Sequence, residues 1–183
     1  MNDPMEAPPA AIMAFLREIG AAGVGHHAGR SLEEHLLATW RMLKVFGAPE
    51  PVALAGLCHS VYGTDAFDTA CLGPADRPRV TAAIGEEAER LAYLFGALRR
   101  EAFLADPLAP ALESRFDEPP LAVTDDERGA LADMLLANEL DLVIAKKGAG
   151  RPDKVAKKVG PVFSTLMPFL SPGARDAYLR LAG

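Results

Sequence analysis

The sequence predicts an all-α fold: a single compact multi-helix domain spanning residues 1–183. Three observations carry that expectation. Ala and Leu are abundant and aromatic residues make up only 7% of the chain, a balance that favours helix over strand. Runs of alternating β-branched residues, the mark of a half-buried strand, are almost lacking. Two capping boxes, Ser31 with Glu34 and Thr124 with Glu127, stand at the heads of long apolar-periodic stretches.

The elements follow in order. Pro9 to Ile19 reads as a first helix ended by Gly20, and "AAGVGHHAGR" as a glycine-rich loop. Ser31 and Glu34 then satisfy free N–H groups of the first turn of a helix from Leu32 to about Phe46. "GAPEPVALAGLCHSVYG" is a turn and a buried helix, with Pro49 and Pro51 near its start and Gly63 past its end. The stretch through "ACLGPADRP" is a loop with at most a short helix. "RVTAAIGEEAERLAYLFGALRREAF" reads as a short helix and then a longer one from about Gly85, with Ala88, Leu91, Leu94, Phe95 and Leu98 on its apolar face.

Residues 106–123 hold Pro107, Pro110, Pro119 and Pro120 and read as a long loop, a kind of segment that often serves as a lid. "DDERGALADMLLANELDLVIAKK" is a long helix whose apolar middle puts Asn138 and Asp141 on or beside a buried surface. After the break at Gly148 to Gly150 come the C-terminal helices, within 152–183. One is kinked or ended near Pro161 and Pro168; the last is capped by Ser171 with Pro172 in its first turn. Seven or so helices are expected.

Composition excludes several classes of function. A net charge of -6 and a pI near 5.2 argue against binding to nucleic acid or to an anionic membrane. The one basic patch, "KKGAGRPDKVAKK", is read as a solvated helix end and loop, the alternative being a site for an anionic ligand or partner. No apolar run approaches the roughly 18 residues of a membrane span. "MNDPMEAPPAAIM" lacks the basic and then apolar order of a secretory signal. Cys58 and Cys71 are too few for a disulfide framework and lack metal-type spacing, so both are expected to be buried or incidental in a cytoplasmic protein.

All four histidines, His26, His27, His35 and His59, fall in the first third of the chain. Histidine is the commonest metal ligand and the usual acid–base residue near neutral pH. His35 lies early in its helix, on the margin of the stripe formed by Leu36, Trp40 and Leu43, and His59 ends the next helix. Antiparallel packing of two helices joined by a short turn brings the start of one near the end of the other. A shared site for His35 and His59 is therefore expected, the alternative being two imidazoles that cap or fill a core.

These segments resemble the HD-domain superfamily. "SLEEHLLATWRML" looks like its first histidine helix, "VALAGLCHSVYGT" like its His-Asp helix, and "LLANELDLV" stands where a later helix brings a final metal-binding aspartate. "IGEEAERLAYLFGAL" is similar to a helix of the hydrolase domain of guanosine tetraphosphate synthetase/hydrolases. The resemblance covers roughly Gly25 to Val143. The chain also resembles an uncharacterised bacterial family with the same His-Ser-x-Tyr-Gly-Thr signature.

Carried over residue by residue, the resemblance implies an HD-like fold with altered chemistry. His35 and His59 match the two histidine ligands. Ser60 stands for the neighbouring aspartate, Asn138 for the terminal one, and Gly63 and Thr64 for a following Glu-Asp pair. Without carboxylates to hold the cation and orient water, ordinary phosphohydrolase activity is expected to be lost. Asp65 or Asp68 could supply a replacement acid from the following loop. His26 or His27 could instead join His35 and His59, with His27, His35 and His59 holding a transition metal such as Fe, Zn or Mn.

A metal-free site would use His35, His59, Ser60 and Tyr62 for catalysis and Arg30, Thr64 and Asn138 for binding. The expected function is a histidine-lined pocket for a small polar molecule, in an atypical metal-dependent or acid–base enzyme. The alternative is a non-catalytic ligand-binding or interaction protein that keeps only the scaffold. Expected partners are a small-molecule ligand or substrate, with no nucleic acid and no membrane.

Overall fold

A computed structural model of the protein describes residues 7–26, 29–116, 118–147 and 151–183. Helix α1 (Ala10–Glu18) starts behind Pro9 and stops before Gly20, whose φ of 87° takes the chain out of helical geometry. A loop returns to α2 (Leu32–Phe46), which begins at the expected capping box. Ser31 Oγ accepts from Glu34 N at 3.2 Å, and Glu34 Oε2 accepts from Ser31 N at 2.7 Å. Gly47, with φ of 74°, ends α2 and turns the chain into α3 (Glu50–Cys58), where Pro51 occupies the first turn and His59 caps the end.

Helices α4 (Arg77–Ile84) and α5 (Glu86–Ala97) meet at Gly85, and the face of α5 expected to be apolar is buried. Next come α6 (Arg100–Ala105), α7 (Asp125–Lys147), α8 (Pro152–Leu166) and α9 (Pro172–Ala182). Ser171 caps α9 by accepting from Ala174 N at 3.2 Å. Thr124 and Glu127 exchange the reciprocal bonds of the second capping box at the head of α7.

Helix α2 lies at the centre, packed against α3, α7 and α9, while α3 also packs against α5. Leu36, Trp40 and Leu43 are buried along its length, and the core they join runs from Ile12 to Tyr178. Each such leucine stabilises the fold by roughly 2 kcal/mol relative to exposure. Close approach of α9 to α2 depends on Gly173, where an added Cβ would stand 1.8 Å from the carbonyl oxygen of Phe46.

The described residues form nine α-helices rather than seven. The stretch read as one long helix from Gly85 breaks at Leu98, whose ψ of 140° is extended, and α6 begins afresh after it. Segment 106–123 contains a short antiparallel hairpin, β1 (Ala111–Leu112) with β2 (Leu121–Ala122). It is fastened by Arg128, which donates to the carbonyls of Pro107 and Ala109, and by Arg115, which donates to those of Tyr62 and Gly96. Helix α8 continues through Pro161 to Leu166 and ends before Pro168. The glycine break at Gly148 to Gly150 lies outside the described residues. Cys58 is buried and Cys71 half-buried. Among the described residues no helix is long and apolar enough to cross a membrane.

Candidate functional site

His35 sits one turn into α2 and His59 at the end of α3, so the tight turn at Gly47 brings the two imidazoles together. Their Nε2 atoms are 3.1 Å apart, and both residues are only 1% exposed. His59 Nδ1 lies 2.7 Å from the carbonyl oxygen of Gly56. A carbonyl only accepts, so this nitrogen carries the hydrogen and Nε2 of a neutral His59 is a lone pair. Burial, followed by the neighbouring charge of His35, pushes the His59 pKa down to about 3, which keeps the ring neutral at physiological pH.

On the other side, His35 Nδ1 lies 2.7 Å from Asp141 Oδ2. Asp141 is also gripped by Arg30, whose two terminal nitrogens donate to its two oxygens at 3.0 and 2.6 Å. Burial opposes ionisation of Asp141, but the bonds from His35 and Arg30, and their charges, outweigh it and hold the carboxyl below its usual range. The carboxylate is therefore ionised and accepts a hydrogen from His35 Nδ1. His35 Nε2 also meets Asn138 Oδ1 at 3.1 Å, while the Asn138 amide nitrogen donates to Glu139 at 3.3 Å.

Three rings enclose the pair. His26 stacks on His35 with centroids 4.1 Å apart, and Phe67 meets His26 edge-on at 4.6 Å. Phe95 of α5 meets His59 edge-on at 5.1 Å. The loop that delivers His26 is pinned at both ends, His26 N donating to Arg30 O at 2.7 Å and Leu32 N to Val24 O at 2.8 Å. Thr64 and Phe67 close a tight turn by reciprocal backbone bonds, with Thr64 Oγ1 accepting from Phe67 N at 3.1 Å. Beside Asn138 is a space of about 20 Å³, lined in part by Thr64, Phe95 and Arg100, which is room for about one water molecule.

The predicted site residues divide accordingly. His35, His59 and Asn138 converge, and Thr64 reaches the rim of the adjoining space. Arg30 is engaged with Asp141, which makes it a partner of the site's carboxylate in place of the ligand contact expected for it. Tyr62 turns away, donating at 2.8 Å to Glu89, which Arg77 also holds; the catalytic reading of Tyr62 therefore has no geometric support. Ser60 is buried just beyond His59, where its backbone carbonyl accepts from Gly63 N.

Neither loop acid joins the histidines: Asp65 accepts from the backbone N–H of Arg100, and Asp68 pairs with Arg115. His27 lies outside the described residues. His26 reaches the cluster by presenting its ring face to His35, with the two planes 12° apart. Asp141 is the functional group that sequence reasoning left out of the site. Its signal was an acid within the apolar run "ELDLVIA", one turn beyond Asn138.

This donor set does not suit a divalent cation of the kind that carboxylate-rich hydrolase sites hold. The groups facing His35 Nε2 are an imidazole and an amide, both neutral. The Asp141 carboxylate lies at the opposite nitrogen, where Arg30 balances its charge. Among the described residues no group of three His, Cys, Asp or Glu side chains is arranged to hold a metal ion.

A family described as a domain of unknown function (DUF6817) matches residues 15–100, a stretch that includes His35 and His59 and ends before Asn138 and Asp141. No curated protein and no solved structure matches the chain.

Proposed function

We propose that this protein binds a small polar molecule, and exchanges a proton with it, at a metal-free His35–His59 pair on an HD-like helical scaffold. The observation that carries this reading is the 3.1 Å approach of two Nε2 atoms in rings whose Nδ1 hydrogens both point elsewhere. Two lone pairs at that distance repel. A hydrogen on His35 Nε2 removes the conflict, because that atom then donates toward His59 Nε2 and Asn138 Oδ1. His35 is accordingly an imidazolium, with Asp141 as its counter-charge.

An imidazolium facing a neutral imidazole is a proton donor and acceptor in one unit. A carbonyl or carboxylate oxygen that takes the place of Asn138 would receive a charge-assisted hydrogen bond from His35. His59 could then take up or return the proton. The order of the helices bearing His35, His59 and Asn138 supports the HD-like reading. Ser60 and Asn138, neutral where that superfamily carries acids, favour an uncharged or anionic ligand over a cation.

One observation favours a second reading, in which the pair only fastens α2, α3 and α7: the adjoining space is about 20 Å³. Imidazole NMR separates the two. Long-range proton–nitrogen spectra of the full chain are recorded alone and with formate, acetate or formamide, small probes whose oxygen would take the place of Asn138 Oδ1. The expected result is a doubly protonated His35, a His59 with Nε2 bare, and displacement of both signals by at least one probe but not in a folded His59→Gln variant. Rings that respond to none of the probes would leave the fastening role and remove the binding one.

A further inference from the structure

A cavity of about 710 Å³ lies away from the histidines, at the head of α7. That is the size of a small-molecule site. Its apolar surface comes from Val52 of α3, Leu91 of α5, Ala130 of α7 and Phe169 beyond α8. Its polar groups are almost all of one sign.

Glu87, Asp125, Asp126, Glu127 and Asp133 line the cavity, opposed by Arg90 alone. Arg90 is already occupied, since it pairs with Glu127 at 3.0 Å and donates to Ala122 O at 2.7 Å. Asp125 reaches only the distant guanidinium of Arg128, at 3.9 Å. The acids in the first turns of α5 and α7 also suit the positive ends of those helices. Asp133 has no such explanation, because it lies two turns inside α7, beyond the reach of the helix end.

Asp133 is 6% exposed, and one of its oxygens accepts the N–H of Ser171 at 3.0 Å. Burial raises its carboxyl above the usual range, outweighing the bonds from Ser171 and the charge of Arg175. A cation seated beside it would reverse that effect. We infer that this groove binds a small organic cation with an apolar body, such as an arylalkyl ammonium, its charge toward Asp133 and its hydrocarbon on Leu91, Ala130 and Phe169. Charge complementarity over an apolar floor supports this binding, independently of the histidine pair.

The test compares phenylbutylammonium, phenylbutanol and phenylbutyrate by amide NMR titration of the full chain. The cation should shift the amides of Leu91, Ala130 and Ser171 and bind at least about tenfold more tightly than the other two. Added salt should weaken it. Asp133→Asn should reduce affinity about tenfold. Because Asp133 also fastens Ser171, a second variant avoids the core: Glu87→Gln with Asp126→Asn, both exposed, should weaken binding severalfold and flatten its salt dependence. Equal affinity for the alcohol, shifts that map to another surface, or no saturable binding at millimolar cation would each overturn the assignment.

Discussion

Asp141 of α7 grips His35 of α2 across 106 residues of sequence, Oδ2 to Nδ1 at 2.7 Å, and Arg30 closes the same carboxylate from the solvent side. The contact makes the two ends of the ladder unequal in value. Asp141→Asn leaves the Arg30 guanidinium and the His35 ring facing a neutral amide and should destabilise the protein by about 3 kcal/mol. Arg30→Gln leaves Asp141 still satisfied by His35, and Arg30 is partly solvated, so the loss should be about 1 kcal/mol. Urea unfolding of both variants and of the double variant checks this. Additive losses would mean that Arg30 does not act through Asp141.

Acid should loosen the same centre, and the sign follows from the two shifts. The His59 pKa in the folded protein, about 3, lies below the ordinary value of 6.5, so between those values the unfolded chain binds more protons. Stability from this group is therefore complete above about pH 6.5 and falls as the pH drops toward 3, at up to about 1.4 kcal/mol per unit. The depressed Asp141 carboxyl acts in the same direction, its contribution being lost below the ordinary carboxylate range. Unfolding free energies measured from pH 4 to 6.5 should slope upward, and His59→Gln should flatten the slope. An unchanged slope in that variant would show that His59 is not held neutral.

Much of this centre was legible because local rules agree with the tertiary outcome. The capping box at Ser31, the tight turn at Gly47 and the chain break after Cys58 each specify their own element, and together they place His35 against His59. Asp141 was harder to read because its role depends on which ring nitrogen it meets, and no spacing rule encodes that choice. The direction of Tyr62 was equally hidden: Glu89 lies 27 residues away on α5 and becomes its acceptor only after α3 and α5 pack. The break at Leu98 carries no Pro, and Gly96, two residues before it, is still helical. The break follows from the backbone bond of Arg99 N to Glu113 O, a long-range contact.

Two glycines should respond differently to the same added methyl group. At Gly173 the new Cβ meets the backbone of Phe46 at 1.8 Å, and α9 can accept it only by moving away from α2. At Gly56 the nearest atom, 2.1 Å away, is the end of the Leu43 side chain, which can change rotamer. Gly173→Ala should therefore cost 3 kcal/mol or so, and Gly56→Ala about 1 kcal/mol after its gain in helix propensity. Thermal midpoints of the two variants test the order. A reversal would mean that α9 is not seated on α2 as described.

Asn138→Asp tests whether charge alone separates this site from a metal site. The new carboxylate would face His35 Nε2 at the position where Asn138 Oδ1 now stands at 3.1 Å, and it would no longer donate to Glu139. Without metal, the new carboxylate repels Glu139 but accepts the hydrogen bond from His35, so stability should change by no more than about 1 kcal/mol at pH 8. The acid also completes two imidazoles and one carboxylate around a common point, a donor set that suits zinc. Adding zinc should therefore raise the thermal midpoint of the variant while leaving that of the parent protein unchanged. If the parent responds to zinc as strongly as the variant, the neutral donor set already holds the ion and the proton-sharing reading of His35 and His59 fails.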